Sequence, residues 1–433
     1  MARSVFLWQA CTLLPQGPYF KADTTGREPK NWRVVCWLYN NIVYSSSQDL
    51  RIAWGSPNFE KLPRNLDGAW TPLKPDFIPD SNTHSSGTAP TFLQSGESRV
   101  QVDRDEAFIS WMGFEFNFAF SQVNGISLYN IRLDGERIVY ELSLQEAIAH
   151  YAGGDPMQSG TAFLDSMFGM GSRLLSLIPG FDCPSHAQFF DTSYCRSEKR
   201  YSRSNTVCVF ETPTDYPLQR HSHGKVVTSF TNSILILRSI AVVGNYDYLI
   251  DYIFYLDGTF GVKVRASGYI QGAYWLNETQ PEYGYHIHES FASSIHDHVL
   301  NFKADLDIGC QNNTMSVLTI TEKQTQYPWS AGQIVNTMHM ERTHIENENH
   351  ASIGWPPNSA SMYVVVGPQN DFGERRGYRI MPGTGVGSPA HLTIKNSTNL
   401  QRSAEWATSD FFITKQKDTE PRSATRSKIT SGG

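Results

Sequence analysis

The sequence predicts a mainly β protein, in which a large antiparallel β-sandwich follows part of a small α/β domain. After residue 98, short runs of β-branched and aromatic residues recur, with Gly, Asp and Asn between them. Asp-Gly pairs separate two pairs of these runs, in Arg132–Gly135 and Leu256–Thr259, where a tight hairpin turn favours them. Many short strands joined by such turns indicate a sandwich.

The individual elements follow from composition and period. Helical periodicity after residue 98 is limited to a turn or two around Ser143–His150. The predicted strands are Phe108–Met112, Phe114–Phe120, Ile126–Arg132, Arg137–Leu142, Ser233–Ile240, Ile250–Tyr255, Phe260–Arg265 and Met362–Val366.

Three segments are predicted along the chain. Residues 1–72 combine short β runs, such as Trp32–Tyr39, with a helix-like stretch at Gln48–Trp54, as in part of an α/β domain. Residues 73–98 are rich in Pro, Ser, Gly, Asn and Thr, which predicts a linker. Residues 99–433 form the β-sandwich domain.

The composition is that of a globular protein and excludes two classes of partner. Hydrophobic residues make up 40% of the 433 positions and aromatic residues 12%, enough for a sizeable core. The formal net charge of −6 argues against nucleic acid, because phosphates need a basic face. No apolar run approaches the roughly 20 residues of a membrane helix, so we expect no membrane partner.

Sequence signals favour an extracellular protein, with a peroxisomal location as the alternative. Arg3 and the apolar run Val5–Leu14 have the order of a signal peptide but are not interpreted as one, because polar residues interrupt the run and no good cleavage site follows. Sequons for glycosylation, which secreted proteins carry, begin at Asn277, Asn312 and Asn396.

Residues that carry chemistry are grouped around one stretch, Val243–Tyr248. Alone, this aromatic, β-prone stretch would be a core strand. However, His296-Asp-His298 begins 50 positions after Tyr246, and Asp165 lies 81 positions before it. The combination resembles the copper amine oxidases, whose members carry Asn-Tyr-Asp/Glu-Tyr, a His-x-His pair and an upstream Asp.

The resemblance covers nearly the whole chain and is closest to fungal members, above all in Gly135–Tyr151 and Val262–Gln271. It implies that residues 99–433 belong to the family's catalytic β-sandwich domain. It also implies a homodimer that uses O2 to convert primary amines to aldehyde, ammonia and hydrogen peroxide. We expect Asn245–Tyr248 and His296–His298 to lie on neighbouring strands, within about 15 Å of each other.

Tyr246 has the position of the tyrosine that the family oxidises in place to topaquinone, and Asn245 beside it is the expected second cofactor-binding residue. Such a cofactor is needed because no ordinary side chain is an electrophilic electron sink for an amine. A quinone carbonyl is one. The family often has Thr where this chain has Val242, a difference that we expect to alter packing alone.

Asp165 has the position of the family's catalytic base. Removing a proton from the carbon beside the amine needs an acceptor of near-neutral pKa, and burial can raise the pKa of an aspartate by up to about 3–5 units. Without the resemblance, Asp165 would be a turn residue before Gly169 and Gly171. Tyr151, 14 positions earlier, matches the tyrosine that hydrogen-bonds the quinone oxygen, although the Tyr-Gly-Asp-Pro context is longer here.

His296 and His298 match the family's copper pair. At a spacing of two, both imidazoles point to one face of a strand, about 6–7 Å apart along it, and imidazole suits Cu(II). The spacing alone is a weak signal, because His221-Ser-His223 and His286-Ile-His288 share it. For those two pairs we predict exposed or core histidines.

Two further features are implied by the resemblance. The family joins cysteines in the contexts of Cys183 and Cys208 by a disulfide, whereas two free buried thiols are the alternative. Asp305 and Asp307 match the first half of a site for a hard cation such as calcium, which prefers oxygen ligands. Solvated carboxylates at the end of a strand are the alternative for this pair.

The family's copper has a third histidine ligand in a downstream segment, and no match for that segment follows Ala404–Asp418. We therefore expect the chain to be truncated at both ends, to bind copper weakly and to convert Tyr246 poorly. A chain extended through that segment should form the quinone. The alternative is a non-catalytic relative that keeps the fold without making the cofactor.

Overall fold

Antiparallel sheets dominate the computed structural model, which confirms the predicted mainly β fold. The structure describes residues 14–66, 68, 70, 93–94, 96–151, 153–159, 161–276, 282–356, 360–383 and 404–415. The sequons at Asn277 and Asn396, most of the run Val5–Leu14 and most of the linker at 73–98 lie outside the described residues.

The first described segment is a small α/β unit, as predicted for the start of the chain. Tyr39 is buried, and its ring packs against those of Trp54 and Phe59 at centroid distances of 5.2 and 5.3 Å. The Ser46 hydroxyl accepts a hydrogen bond from the Asp49 amide and caps the helix. No helix of the described residues is long and apolar enough to span a membrane. The elements are β1 (Tyr19–Asp23), β2 (Arg33–Tyr39), β3 (Ile42–Tyr44) and helix α1 (Ser47–Trp54).

After residue 98 the described chain is almost entirely strand and turn. Short 3-10 turns lie at Asp165–Phe168, Gly171–Arg173, Glu348–His350 and Glu405–Ala407. The strands are β4 (Gln101–Asp103), β5 (Phe108–Trp111), β6 (Phe114–Ser121), β7 (Gly125–Leu133), β8 (Glu136–Tyr151), β9 (Ala162–Leu164), β10 (Gln188–Arg196), β11 (Lys199–Pro213), β12 (Gln219–His223), β13 (Val226–Phe230), β14 (Ser233–Val243), β15 (Tyr246–Tyr255), β16 (Phe260–Gly268), β17 (Ala273–Tyr274), β18 (His286–His288), β19 (Phe291–Ala292), β20 (His296–Leu306), β21 (Thr314–Thr325), β22 (Val335–His344), β23 (Ser352–Ile353), β24 (Ser361–Gln369), β25 (Arg375–Ile380) and β26 (Phe411–Phe412).

Two of the sheets face each other and enclose the main core. The first has the order β20-β8-β7-β6-β5-β4, with β9 added to β8, and the second has the order β10-β11-β14-β15-β16. Phe116 of the first sheet stacks on Phe254 of the second at 4.6 Å, and both are buried. Side chains from the two inner faces therefore form one sandwich core. Both Asp-Gly hairpins are where predicted, between β7 and β8 and between β15 and β16.

The helical turn predicted around Ser143–His150 is wrong, because this stretch belongs to the long strand β8. A β-bulge at Gln145 explains the wrong prediction. Leu144 pairs with Phe302 and Glu146 pairs with Asn301, so Gln145 is an extra residue in β8. The extra residue changes which residues face the core, from Leu142 and Leu144 before it to Ala147 after it. The resulting spacing of three imitates one turn of a helix.

The bulge also decides the direction of Tyr151. Beyond Gln145 the odd-numbered residues of β8 face the sandwich interior, so Tyr151 at the strand's end points inward and is buried. The Asn124 side-chain amide donates to the carbonyls of Leu144 and Gln145 at 3.0 and 3.3 Å and holds the bulge.

The predicted placement of Asn245–Tyr248 and His296–His298 on neighbouring strands is wrong. β15 belongs to the second sheet and β20 to the first, so no ladder joins them. Their predicted proximity is confirmed, because the rings of Tyr246 and His298 meet across the sandwich at a centroid distance of 4.7 Å. Packing of two sheets, not strand pairing, brings these motifs together.

Cys183 and Cys208 are joined, which confirms the predicted disulfide. Their sequence separation is 25, and a loop of this length is worth about 3 kcal/mol in the chain-entropy account. We expect Cys183→Ser/Cys208→Ser to lower the free energy of unfolding by about this amount, measured by denaturant titration. Cys195→Ser, which alters an exposed thiol, is the control. Free thiols at Cys183 and Cys208 in mass mapping of non-reduced peptides would contradict the pairing.

Candidate active site

Tyr246 is the first residue of β15 and follows a two-residue turn. Gly244 has φ +61°, a conformation that glycine adopts at little cost. The backbone of the turn lies close to β16, where a Cβ on Gly268 would come within 2.2 Å of the Asn245 carbonyl oxygen. That carbonyl also accepts from the Tyr269 amide at 2.9 Å. Asn245 thus holds the backbone beside Tyr246 in place.

Two donors reach the Tyr246 hydroxyl. The Tyr151 hydroxyl donates to it at 3.0 Å, and the backbone amide of Gln271 donates to it at 3.3 Å. Tyr151 is 2% exposed, and its ring stacks on that of His296 at 5.0 Å. Burial raises the pKa of Tyr246 above its usual value, and the Tyr151 and Gln271 hydrogen bonds oppose that change. The ring of Tyr246 is therefore oriented through its oxygen.

Asp165 opens a 3-10 turn directly after β9 and is 3% exposed. Burial raises the pKa of its carboxyl to about 7, opposed by a hydrogen bond from Tyr248 and supported by the nearby charge of Glu146. The predicted effect of burial on this aspartate is therefore present in the structure. A carboxyl of this pKa is ionised in part at neutral pH and can accept a proton.

Tyr248 connects the aspartate to the histidine pair, and sequence reasoning assigned it no role. Its hydroxyl lies 2.9 Å from Asp165 Oδ2 and 2.8 Å from His298 Nδ1. Strand alternation could have revealed this, because Tyr246 and Tyr248 share one face of β15. The pairing of β15 with its neighbouring strands could not have revealed it, because Asp165 and His298, the two partners of the Tyr248 hydroxyl, lie on other elements.

His296 and His298 lie on one face of β20, as predicted, with ring centroids 4.8 Å apart. His296 Nδ1 lies 2.9 Å from the Ser294 carbonyl oxygen, which only accepts, so Nδ1 carries the proton. The Tyr248 hydroxyl has one proton, which it gives to ionised Asp165. His298 Nδ1 must then donate to the tyrosine oxygen. Both rings consequently present the lone pair of Nε2.

The Nε2 lone pair of His298 is available for a ligand. This atom is buried and has no hydrogen-bond partner in the structure. Burial, with the neighbouring His296, lowers the pKa of the His298 ring to about 4, so the imidazole is neutral at pH 7. Neutral imidazoles whose other nitrogens are hydrogen-bonded suit Cu(II). Within the described ranges no group of three or more His, Cys, Asp or Glu could hold a metal, and two histidines meet here.

The other two His-x-His pairs and the predicted cation site lie in different surroundings. Both histidines of β12 are exposed, as expected, whereas those of β18 stack on tryptophans, His286 on Trp275 at 4.3 Å and His288 on Trp70 at 4.1 Å. The predicted cation site has two carboxylates with basic neighbours: Asp305 lies 3.6 Å from Lys303, and Asp307 lies 2.7 Å from Arg137. A calcium ion would compete with these contacts, and the calcium hypothesis stays a prediction.

The comparison with protein families decides the assignment. A family model described as the enzyme domain of copper amine oxidases matches residues 101–432. The chain belongs to the copper amine oxidase family. The descriptions of the family and of its relative name copper-dependent amine oxidation as their general activity. A second model, the domain of unknown function DUF1965, matches residues 10–76 of this copper amine oxidase.

Fungal relatives agree with this family assignment. The copper amine oxidase vicK1 of Bipolaris victoriae is 39% identical over 426 residues, covering 97% of this chain and 58% of the relative. Among solved structures, Aspergillus nidulans amine oxidase is 43% identical with a TM-score of 0.87, covering 96% of this chain and 55% of that one. Pichia pastoris lysyl oxidase is 39% identical with a TM-score of 0.88, covering 95% and 56%. The chain spans somewhat over half the length of these relatives.

Proposed function

We propose that this protein oxidatively deaminates primary amines to aldehyde, ammonia and hydrogen peroxide, with copper and a topaquinone made from Tyr246. One observation carries the proposal: the Tyr246 ring lies against both histidine rings, at centroid distances of 4.7 Å from His298 and 5.5 Å from His296. Oxidation of a tyrosine in place requires a metal held beside its ring, and these two imidazoles offer two ligands there.

Each side chain of the site has a role that follows from its contacts. His296 and His298 would hold copper through Nε2, because their Nδ1 atoms are engaged. Copper and the quinone would supply O2 chemistry and an electrophilic electron sink, which side chains lack. Tyr151, already hydrogen-bonded to the Tyr246 oxygen, would orient the modified ring through that oxygen.

Asp165 would take the proton from the carbon that bears the amine. Its carboxylate is shielded from water, and the Tyr248 hydroxyl stabilises the ionised form by donating to Oδ2. Burial opposes ionisation and keeps the group basic near neutral pH, as proton abstraction requires.

The direct test uses the full-length protein prepared with copper. We expect amine-dependent release of hydrogen peroxide from a simple primary amine, and a coloured adduct with a hydrazine that traps the quinone. Copper-loaded protein that gives neither peroxide nor an adduct would support the alternative of a non-catalytic relative.

Replacing the base separates chemistry from cofactor formation. Asp165→Asn is expected to keep the hydrazine adduct but to lower kcat by about 10²–10⁴-fold, because the amide cannot accept the proton. In the wild type, kcat should rise with pH through about 7, since protonation of Asp165 removes the acceptor. Asp257→Asn, in the turn after β15, is the control. Unchanged turnover in Asp165→Asn would exclude this carboxylate as the base.

Three further properties belong to the proposal and rest on family resemblance and sequence signals. They are assembly as a homodimer, an extracellular location, and calcium bound at Asp305 and Asp307.

A further inference from the structure

The turn that carries Asp165 has no cap of its own. Asp165–Phe168 is a single 3-10 turn, and the residue before it, Leu164, has no side-chain group that can accept from the open amides at the start. The other end is closed, because Gly169 adopts φ +73° and its amide donates to the Ser166 carbonyl at 2.9 Å. Something else must therefore satisfy the first amides of the turn.

Glu146 of β8 supplies the missing acceptors. Its Oε1 atom accepts from the Ser166 amide at 3.0 Å, and its Oε2 atom accepts from the Ser166 hydroxyl. Oε1 also accepts from the amide of Ala147 at 3.0 Å, which fixes the carboxylate against its own strand. The residue next to the proposed base is thus attached to a neighbouring strand by two hydrogen bonds to a charged group, the stronger kind.

The β-bulge at Gln145 aims this carboxylate. Because the bulge reverses the alternation of β8, Tyr151 and Ala147 face the sandwich interior, while Glu146 lies on the opposite face of the strand, from which its carboxylate reaches Ser166. Without the extra residue, the register set by Leu142 and Leu144 would turn Glu146 inward and Tyr151 outward. One irregularity therefore positions the quinone's hydrogen-bond partner and the support of the base.

Glu146 also changes the charge around Asp165. Its negative charge supports burial in raising the pKa of the Asp165 carboxyl, whereas the Tyr248 hydrogen bond opposes it. The titratable groups that face Asp165 are Tyr246 and Tyr248 of β15, Tyr151 and Glu146 of β8, and, through the Tyr248 hydroxyl, His298 of β20. Glu146 is the only carboxylate among them.

We propose that Glu146 is the positioning residue of the base: its carboxylate holds the Asp165 turn through the Ser166 amide and hydroxyl and places a second negative charge near the base. The proposal rests on the function assigned above to Asp165. It predicts two separable effects, one of hydrogen bonding on kcat and one of charge on the pH profile.

The test compares Glu146→Gln with Glu146→Ala in the full-length, copper-loaded protein. Glutamine can still accept from the Ser166 amide, so the turn remains, but the charge is lost. We expect the acidic limb of its kcat profile to move to lower pH. Alanine leaves the turn unsupported, and a base displaced by about 1 Å can cost about 10²-fold in kcat. The hydrazine titre should stay at the wild-type value in both variants.

Two further variants test whether these effects are specific to Glu146. Ser166→Ala removes the hydroxyl donor but keeps the amide, so its loss of kcat should be smaller than that of Glu146→Ala. Glu136→Gln makes the same charge change at the exposed start of β8 and should leave the acidic limb in place.

The inference is overturned if Glu146→Gln has the wild-type acidic limb, or if Glu146→Ala has wild-type kcat. It is also overturned if Glu146→Ala loses hydrazine titre in proportion to its activity, because Glu146 would then act on cofactor formation. These outcomes differ from failure of the proposed function, in which the wild type lacks quinone and turnover or Asp165→Asn retains turnover.

Discussion

Tyr246→Phe in the full-length protein is expected to abolish the quinone and all amine-dependent peroxide release. The substitution removes the ring oxygen that accepts from the Tyr151 hydroxyl and the Gln271 backbone amide, and it leaves the ring itself in place beside the two histidines. Without the phenol oxygen, the ring lacks the electron density that oxidation to a quinone needs. The measurement is the hydrazine titre together with a peroxide assay on copper-loaded protein.

Measuring the copper content of this variant separates copper binding from formation of the quinone. Because His296 and His298 are untouched, Tyr246→Phe should still bind copper. The matched control is Tyr255→Phe, which removes the same atom at the far end of β15, about 30 Å along the strand. It should keep the wild-type hydrazine titre. A Tyr246→Phe protein that still forms an adduct and turns over would show that the cofactor arises elsewhere.

His298→Ala is expected to remove copper and quinone together. The structure leaves the Nε2 atom of this ring buried and unpartnered, and the Tyr248 hydroxyl holds the ring through Nδ1. Loss of an outer partner of a metal ligand costs about 10–100-fold in affinity, so loss of a ligand should cost more. His296→Ala should behave alike, because the two rings lie 4.8 Å apart, centroid to centroid, on one face of β20. Metal analysis and hydrazine titration of the same samples measure the two losses.

The chain provides its own matched control for this experiment. His221 and His223 have the same spacing on β12, where both residues are exposed. This strand pairs with β13 in a two-stranded sheet separate from those of β15 and β20. His221→Ala and His223→Ala should retain copper and quinone in full. If they lost copper as His298→Ala does, the His-x-His spacing alone would not distinguish the centre, and the assignment of the metal to β20 would fail.

The mainly β fold could be predicted from the sequence because many of its strands and turns are marked by residue types within a few positions of each other. β-branched and aromatic runs coincide with β6, β7, β14 and β15, and the Asp-Gly pairs occupy the turns where hairpins reverse. The helix-like stretch predicted at Gln48–Trp54 corresponds to helix α1, which the structure shows capped by the Ser46 side chain. These preferences depend on neighbours a few residues away, which a sequence displays directly.

The error at β8 has the opposite origin. Whether Gln145 is an extra residue depends on which residues of β20, more than 150 positions later, it must pair with. The Asn124 side-chain amide that holds the bulge comes from the turn between β6 and β7. A register between distant strands is not written in local periodicity, so the stretch imitated a helix.

The sequence by itself determined the residue types of the site: a tyrosine in an Asn-Tyr-Asp-Tyr motif, a histidine pair and an upstream aspartate. Only the tertiary structure decided how they meet. Packing of two sheets places Tyr246 against the histidines, and burial raises the pKa of Asp165 to about 7. The hydrogen-bond partners of the two Nδ1 atoms determine the tautomers of His296 and His298. These properties come from desolvation and from contacts between segments far apart in the chain, which exist only after folding.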